Sequence, residues 1–339
     1  RERQRAEINP MQYGTIVHYI LERFFGEYTK EEYLSLEEDK LQKIVCAYLA
    51  EYAVKYFGEE QLESNSFTYR LKTILDNVMH LMKHIMEELS QSEFFVADCE
   101  LKIGEDIPSY TIVLPDGHKI AVCGSVDRVD IMQRADITYL RIIDYKTGTK
   151  QFKLSDILYG INLQMLLYLH SIEASGGDKY GEIVPAGILY MPATVPYISS
   201  DSLKSIDKLP DELNKKLKMN GLLLKDTEII HGMDKTDVAT YIPVKIKAGE
   251  PVSSTSLATL AEFGKIFKKV DMLIAEMGKN IYNGNIEAKP LKGGHDSCEY
   301  CPYDSVCAYR QSNPITCFSV DNKTVIEEIT NEINGKEEE

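Results

Sequence analysis

Two short segments of the chain combine carboxylates with a lysine in a way that suits hydrolysis of a phosphodiester bond. Residues 124–130 read GSVDRVD, and residues 143–148 read IDYKTG, which places Asp144 17 residues after Asp127. Two carboxylates that converge on one point repel each other, and a hard divalent cation such as Mg2+ relieves that repulsion. A lysine beside them can orient a water molecule or offset charge on a phosphoryl oxygen. Asp127, Asp144 and Lys146 therefore form a candidate site for metal-assisted hydrolysis.

Strands must position these three side chains. Alternate residues of a strand share a face, so Asp144 and Lys146 point to one side and Tyr145 to the other. Asp127 lies on the preceding predicted strand, and hairpin pairing would bring it beside Asp144. The pattern Asp-x-Lys also occurs on half-exposed strands, but apolar residues before both motifs predict buried strands, where an unpaired acid is costly.

Two predicted helices carry further candidates. His18 lies on the first helix with Glu22 one turn later, although a lone histidine on such a helix is often only a partly buried polar residue. Gln164 and Tyr168 are spaced i, i+4 on the helix that follows the strands, so they share a face. They form either the polar edge of a core helix or a pair of side chains that face DNA or Lys146.

A cysteine cluster near the end of the chain is the most specific local pattern. Cys298, Cys301 and Cys307 are spaced so that they can occupy three of the four positions around a tetrahedral metal or cluster. Cys317 and His295 are candidates for the fourth position, so the spacing leaves both zinc and an iron–sulfur cluster open. The uneven distribution of seven cysteines indicates a reducing compartment rather than a disulfide framework.

Periodicity predicts the elements that carry these residues. A helical block comes first, followed by alternating runs that predict an antiparallel meander with a turn at residues 115–117 (PDG). The predicted helices span residues 11–25, 37–57, 67–89, 155–174 and 256–280. The predicted meander strands span 94–104, 109–114, 118–132 and 138–148, and later strands span 184–193 and 240–246.

Composition limits the class of protein. The 339 residues are 44% hydrophobic and 27% charged, which excludes disordered and fibrous proteins. No stretch approaches the roughly 18 apolar residues of a membrane helix, so a cytoplasmic location without a membrane partner is expected. The net charge of −15 argues at first against nucleic acid. Residues 311–339 are predicted to form an acidic, solvated tail, and the start without Met predicts the C-terminal part of a longer protein.

Five motifs together identify a family resemblance. GTIVHYILE, GSVDRVD, IIDYKTG, QMLLY and CEYCPYDSVC, in this order, resemble the RecB-like nucleases of the PD-(D/E)XK superfamily, in particular the C-terminal nuclease domain of AddB/RexB-type helicase–nuclease subunits. The resemblance implies an α/β fold with a restriction-endonuclease-like core, in which helices flank a central mixed sheet that contains the antiparallel meander. It implies a single nuclease domain over residues 1–310, with a helical insertion at about 26–93, a polar excursion at about 198–238 and the cysteine cluster at 298–307.

The resemblance also implies roles for the candidate residues. Asp127 and Asp144 would act in catalysis and, together with His18 and the backbone carbonyl of Tyr145, would bind Mg2+, or Mn2+ in its place. Lys146 would be the catalytic lysine. The helix residues Gln164 and Tyr168 would form the Gln-x-x-x-Tyr motif of the RecB-like group.

The cysteines and the function follow from the same resemblance. Cys298, Cys301 and Cys307 would bind a 4Fe–4S cluster whose fourth cysteine lies, in the family, upstream of this chain, so the cluster is expected to be incomplete, lost or replaced here. The implied function is that of an Mg2+-dependent DNA exonuclease in a helicase–nuclease complex that processes double-strand breaks for recombinational repair. An AddA-type partner would deliver single-stranded DNA, with the 5′-ended strand as the expected substrate.

Two alternatives stay open on the sequence. The iron–sulfur nucleases of CRISPR adaptation share the motif order and the cysteine end, but they lack a helical block as long as residues 26–93. A catalytically idle DNA-binding scaffold held together by a metal cluster is the second alternative, and the presence of competent residues at every nuclease position argues against it.

Overall fold

A six-stranded mixed sheet forms the centre of the molecule. The structure, a computed structural model, describes residues 8–148, 150–196, 209–253, 255–307 and 314–337. The strands of the sheet are β1 (Phe95–Ile103), β4 (Gly124–Arg134), β5 (Ile137–Lys146), β6 (Glu182–Pro192), β7 (Asn220–Leu224) and β10 (Leu257–Ala258). They lie side by side in the order β1-β4-β5-β6-β7-β10. Helices flank the sheet, so the predicted α/β architecture with a central mixed sheet is confirmed.

The helical block that opens the fold has the predicted order of elements. The Asn9 side chain caps the first helix by accepting a hydrogen bond from the Gln12 amide, and the Gln12 side-chain oxygen accepts one from the Asn9 amide. Pro10 occupies the first turn, where its missing N–H costs nothing. The helices of the block are α1 (Pro10–Glu27), α2 (Lys30–Leu34), α3 (Glu38–Phe57), α4 (Glu59–Leu62) and α5 (Asn65–Ser90).

The antiparallel meander is present, but one of its predicted strands is divided. β2 (Tyr110–Val113) and β3 (Lys119–Val122) form a separate hairpin, with Gly117 at φ 87° in the turn. The run 118–132, predicted as one strand, breaks at Cys123, because its first part pairs with β2 and its second part pairs with β1. β4 pairs antiparallel with both β1 and β5.

A crossover joins β5 to the parallel strand β6. The single helix predicted over 155–174 is instead a 3-10 turn (Leu154–Tyr159) followed by α6 (Gln164–Ser175). Gly160 at φ 69° and Asn162 at φ 54° adopt left-handed conformations that a continuous helix does not contain. α7 (Gly177–Tyr180) then leads into β6, which pairs in parallel with β5.

The described part of the predicted polar excursion, residues 209–238, adds a strand to the central sheet. α8 (Leu209–Leu217) precedes β7, which pairs antiparallel with β6, and α9 (Thr227–Met233) follows. Residues 198–208 lie outside the described residues. The predicted strand 240–246 is wrong for most of its length, because Pro243 has no N–H to donate and only residues 245–247 pair, in a small hairpin of β8 (Lys245–Lys247) with β9 (Glu250–Val252).

The final elements also differ from the predicted tail. α10 (Leu260–Tyr282) begins at a Thr259–Glu262 capping box, and α12 (Asn322–Glu337) packs against it. Val325, Ile329 and Ile333 of α12 are buried, because they recur every four residues and form one apolar stripe among the acids. The remaining elements are β11 (Leu291–Gly293), α11 (Asp304–Cys307) and β12 (Ile315–Cys317). None of the described helices is both long and apolar enough to span a bilayer.

A four-charge cluster, made of Glu88, Arg128, Asp130 and Arg141, joins the helical block to the sheet. All four side chains are fully buried. Arg128 donates to Asp130 at 2.7 Å and to Glu88 at 3.2 Å, and Arg141 donates to Glu88 at 2.6 Å and to Asp130 at 3.0 Å. The two guanidinium groups and two carboxylates balance in charge, which is the condition for burying ions.

Candidate active site

The ends of β4 and β5 bring the two predicted aspartates into one region. The register pairs Arg128 with Ile143, which places Asp127 next to Asp144 on the neighbouring strand. The Asp127 carboxylate accepts a hydrogen bond of 2.9 Å from the Tyr145 amide, so the two strand ends are fixed to each other. Asp144 is 5% exposed and forms an ion pair with Lys146, two residues along the same face.

His18 and a carboxylate that the sequence analysis missed complete a group of possible metal ligands. His18 Nδ1 lies 2.8 Å from Glu100 Oε1, and His18 Nε2 lies 3.6 Å from Asp127 Oδ2. One ligand atom from each of His18, Glu100 and Asp127 lies within 4.8 Å of the other two. Among the described residues, no other set of histidine, cysteine and acidic side chains forms such a group.

Glu100 reaches this group through the pairing of β1 with β4. Cys99 pairs with Arg128 and Leu101 pairs with Val126, so Glu100 stands opposite Asp127. Its backbone has φ 51°, and its carboxylate also accepts a hydrogen bond of 2.8 Å from Ser125 Oγ. The only signal in the sequence is an acid in an alternating run, and the pairing of β1 with β4 across the intervening hairpin is not visible there.

The electrostatics of the group suit a bound cation. Burial, and after it the nearby charge of Asp144, raises the pKa of Asp127 to about 6, although the charge of His18 opposes this shift. Burial lowers the pKa of His18, but the hydrogen bond with Glu100 and the charge of Asp127 outweigh burial and raise it. The hydrogen bond from His18 lowers the pKa of Glu100. A divalent cation would relieve the cost of holding two carboxylates in this half-buried place.

The chemistry of the donor set fits Mg2+ or Mn2+. Carboxylate oxygens are the preferred protein ligands of both ions, and an imidazole nitrogen is compatible with Mn2+. The hydrogen bonds of Tyr145 fix its amide against Asp127 and its hydroxyl against Arg128, and the role of its carbonyl as a ligand stays a prediction. Asp144, in its ion pair with Lys146, lies outside the close group of donors.

A pocket of about 670 Å3 opens above the group. Its wall includes His18, Glu100, Tyr145 and Lys146. This volume is in the range of small-molecule sites and accommodates a nucleotide unit. The pocket therefore joins His18 and Tyr145, two of the predicted metal ligands, with Glu100 and the predicted catalytic lysine in one space.

Gln164 and Tyr168 lie on α6 and are not among the residues that line this pocket. Gln164 is exposed at the start of α6, and Tyr168 is half-buried one turn later. The Tyr168 hydroxyl packs on Gly124 so closely that a Cβ added at residue 124 would lie 2.2 Å from it. In the part of the chain that the structure describes, no hydrogen bond or ion pair joins either residue to Asp127, Asp144 or Lys146, so their catalytic role stays a prediction.

The cysteines of the predicted iron–sulfur site are close in the chain but do not form a compact set of ligands. Cys298 and Cys301 are half-buried, Cys307 is exposed, and all three are free thiols. Cys317, the candidate fourth ligand, is buried on β12, where it pairs with Gly293. The compact ligand group of the described chain contains no cysteine, so the cluster also stays a prediction.

Comparison with known proteins agrees with this geometry. The model of the PD-(D/E)XK nuclease superfamily matches residues 1–308. Proteins named as the B subunit of an ATP-dependent helicase/deoxyribonuclease are also similar: that of Thermoanaerobacter sp. strain X514 is 34% identical over 91% of this chain and 28% of its own length. Those of Alkaliphilus oremlandii and Clostridium kluyveri are each 32% identical, over 98% and 100% of this chain and 30% of their own length. The chain thus spans less than a third of the length of these curated relatives.

Proposed function

The chain belongs to the PD-(D/E)XK nuclease superfamily, and on that premise we propose that it is the Mg2+-dependent deoxyribonuclease module of a helicase–nuclease complex that cleaves single-stranded DNA. One observation carries the proposal: ligand atoms of His18, Glu100 and Asp127 lie within 4.8 Å of one another, and two of these residues, His18 and Glu100, line the same pocket as Lys146. The names of the similar proteins, which describe a helicase/deoxyribonuclease, support the same role.

The residues of the site divide the work of hydrolysis. His18, Glu100 and Asp127 would hold the metal ion, with Asp144 and the Tyr145 carbonyl as further ligands. When bound, the ion supplies Lewis-acid polarisation of a phosphoryl oxygen and a more acidic water. The Tyr145 amide holds the Asp127 carboxylate in place, and Glu100 fixes the His18 ring through Nδ1.

Lys146 would act on the attacking water. Its ammonium lies against Asp144 and also 5.6 Å from the centre of the Tyr190 ring, so its long side chain is held between two partners. A positioned ammonium orients a water molecule and offsets negative charge that develops on the phosphate. We expect cleavage to leave a 5′-phosphate and a 3′-hydroxyl.

The wider role of the protein is part of the proposal. We propose that an AddA-type helicase partner delivers the 5′-ended strand, that the complex processes double-strand breaks in the cytoplasm, and that cleavage is exonucleolytic. Cys298, Cys301 and Cys307 would bind a 4Fe–4S cluster when a fourth ligand is supplied. The names of the relatives and the family match support a nuclease that works with a helicase. The strand, the mode of cleavage, the location and the cluster follow from the motif resemblance alone.

Substitution of Asp144 or Lys146 tests the nuclease. We expect Asp144→Ala and Lys146→Ala each to abolish Mg2+-dependent cleavage of an end-labelled single-stranded oligonucleotide, because one removes a metal ligand and the other the cation that positions water. The matched controls are Asp136→Ala and Lys119→Ala, which change exposed residues of neighbouring strand ends and should cleave as the wild type does. Undiminished cleavage by either site variant contradicts the assignment.

A binding measurement separates a nuclease from an idle scaffold. Calorimetric titration with Mn2+ should show a site in the wild-type protein that is weakened in Asp127→Ala. A protein that binds DNA but neither binds Mn2+ nor cleaves would instead be the scaffold.

A further inference from the structure

A row of three tyrosines on one wall of the active-site pocket points to a contact with the DNA bases. We propose that Tyr56, supported by Tyr52 and Tyr19, is a platform on which an unpaired base of the DNA strand stacks beside the scissile phosphate. The proposal rests on the proposed function, which supplies the DNA. The platform proposal adds to that function the residues that would select single-stranded DNA over duplex.

The three rings form a continuous series across two helices. Tyr52 and Tyr56 are one turn apart on α3, and their ring centres are 4.4 Å apart at an interplanar angle of 34°. The centre of the Tyr19 ring, on α1, lies 5.2 Å from that of Tyr52. Side chains spaced i, i+4 lie on the same helix face, so α3 directs both of its rings toward α1.

The exposure of the rings changes along the series. Tyr52 is 5% exposed and Tyr56 is 56% exposed, so the inner ring supports the outer one. The Tyr19 hydroxyl donates to Glu51 at 2.9 Å, and Arg23 also donates to Glu51 at 2.9 Å. These two hydrogen bonds fix the Tyr19 ring, which is the end of the series on α1. An exposed aromatic ring that rests on a fixed neighbour loses little conformational entropy when a base stacks on it.

The pocket connects this platform to the catalytic residues. Tyr19, Tyr52 and Tyr56 line the same pocket as His18 and Lys146, and Tyr19 is adjacent to His18 in the chain. A base on the platform therefore belongs to a nucleotide close to the metal ligands.

The charges at the pocket favour a nucleotide over an apolar partner. Lys102 and Lys150 line the pocket, and the Lys55 ammonium lies 5.1 Å from the centre of the Tyr56 ring. Glu22 and Glu100 are the acids that line the pocket, and Glu100 is one of the proposed metal ligands. Aromatic rings beside lysines are the combination by which proteins bind single strands, with stacking for the bases and cations for the phosphates.

Stacking on Tyr56 selects the state of the DNA rather than its sequence. Every base offers a π face when it is unpaired and unstacked, whereas in a duplex both faces are covered by neighbouring pairs. The platform would thus accept any single-stranded sequence and reject duplex.

The test measures the binding of fluorescein-labelled oligothymidylate by anisotropy in EDTA, where metal-dependent cleavage does not occur. Tyr56→Ala should raise Kd about fivefold or more, since removal of one stacking ring has an effect of this order. Tyr56→Phe retains the ring and should bind as the wild type does. Tyr69→Ala, which removes a more exposed tyrosine outside the pocket, is the control and should not change Kd.

A second substrate isolates the stacking contact. With an oligonucleotide of abasic residues, wild type and Tyr56→Ala should bind equally, because no base is present to stack. A Kd for oligothymidylate that is unchanged in Tyr56→Ala, a loss in Tyr56→Phe as large as that in Tyr56→Ala, or an equal loss with the abasic strand overturns the platform. So does a wild-type protein that does not bind oligothymidylate.

The proposed nuclease and the platform fail in different measurements. If the wild type does not cleave with Mg2+ but Tyr56→Ala loses affinity, the platform stands and the nuclease assignment does not. If the wild type cleaves and the affinity of Tyr56→Ala is unchanged, the reverse holds. Thermal unfolding of each variant excludes loss of the fold as the cause.

Discussion

Glu100 is the residue that most changes the description of the site. It contributes a second carboxylate to His18 and Asp127, and it does so from a backbone with φ 51°, which few residues other than glycine adopt. Such a conformation persists only where surrounding contacts impose it, and here those contacts are His18 and Ser125. We infer that β1 is shaped to direct this carboxylate at the metal position.

Loss of the Glu100 charge should weaken metal binding. We expect Glu100→Gln to raise the Kd for Mn2+ by about tenfold or more, because it removes a candidate ligand charge and replaces the carboxylate beside His18 with a neutral amide. Calorimetric titration measures the change, and Glu105→Gln, at an exposed acid in the turn that follows β1, is the control. Equal Mn2+ affinity in the two variants would show that Glu100 is not a ligand.

The sequence allowed part of this site to be predicted. The positions of Asp144, Lys146 and Asp127 follow from strand alternation and a short hairpin, both of which are local properties. Glu100 and His18 depend on pairing and packing between elements that are distant in the chain. No local period encodes such contacts. The family motif suggested His18 as a ligand, whereas Glu100 was recognised only from the fold.

Among the elements, α6 and α10 are joined by a histidine that the site does not use. His170 of α6 lies 3.2 Å from Asp271 of α10 and 3.3 Å from Glu173, and its ring stacks on Phe267 at 4.6 Å between centres. Tyr110 of β2 donates to the same Asp271 carboxylate at 3.0 Å. Burial lowers the pKa of His170, but the hydrogen bonds and charges of the two acids outweigh it and raise the pKa to about 9.

This contact should make stability depend on pH. Because the pKa of His170 is about 9 in the folded protein and about 6.5 in the unfolded chain, its contribution is complete below about pH 6.5 and disappears as pH rises through about 9. We expect the free energy of unfolding to fall by up to about 3 kcal/mol over this range. Urea unfolding at pH 6 and pH 9.5 measures the effect.

The matched variants for this prediction are His170→Asn and His80→Asn. The first should lose most of the pH dependence, and the second, at an exposed histidine of α5, should retain it. A pH dependence that survives in His170→Asn would assign it to another group.

At the scale of elements, sequence periodicity predicted which helices exist better than it predicted how the elements are connected. The amphipathic helices α1, α3, α5 and α10 lie within a few residues of their predicted bounds. The single helix predicted over 155–174 failed because two left-handed residues interrupt it, and β7 was missed because a five-residue strand has too few residues to show a period.

At the scale of the whole molecule, α12 shows that composition can conceal a core element. The helix carries many acids, yet Val325, Ile329 and Ile333 pack against α10, and Lys269 of α10 pairs with Glu332. The acidic end of the described chain is therefore part of the folded domain.

A substitution in α12 tests this packing. Ile329→Ala should lower the free energy of unfolding by about 2–5 kcal/mol, because it removes a fully buried side chain and leaves a cavity. Ile286→Ala, at a side chain that is 95% exposed, is the control and should have little effect. Denaturant titration measures the free energy of unfolding of both variants and of the wild type. Equal stability of Ile329→Ala and the wild type would mean that α12 does not contribute to the fold.

The four-charge cluster has a consequence for the behaviour of the protein in salt solutions. At moderate ionic strength, dissolved ions largely screen interactions between exposed charges that are more than about 8–10 Å apart. They screen Glu88, Arg128, Asp130 and Arg141 much less, because these side chains are fully buried. Contacts between lysines and phosphates weaken steeply as salt rises, because counterions compete for the DNA. Added salt should therefore separate two roles of charge in this molecule: the proposed contacts with DNA should weaken, while the ion pairs that join the helices to the sheet remain.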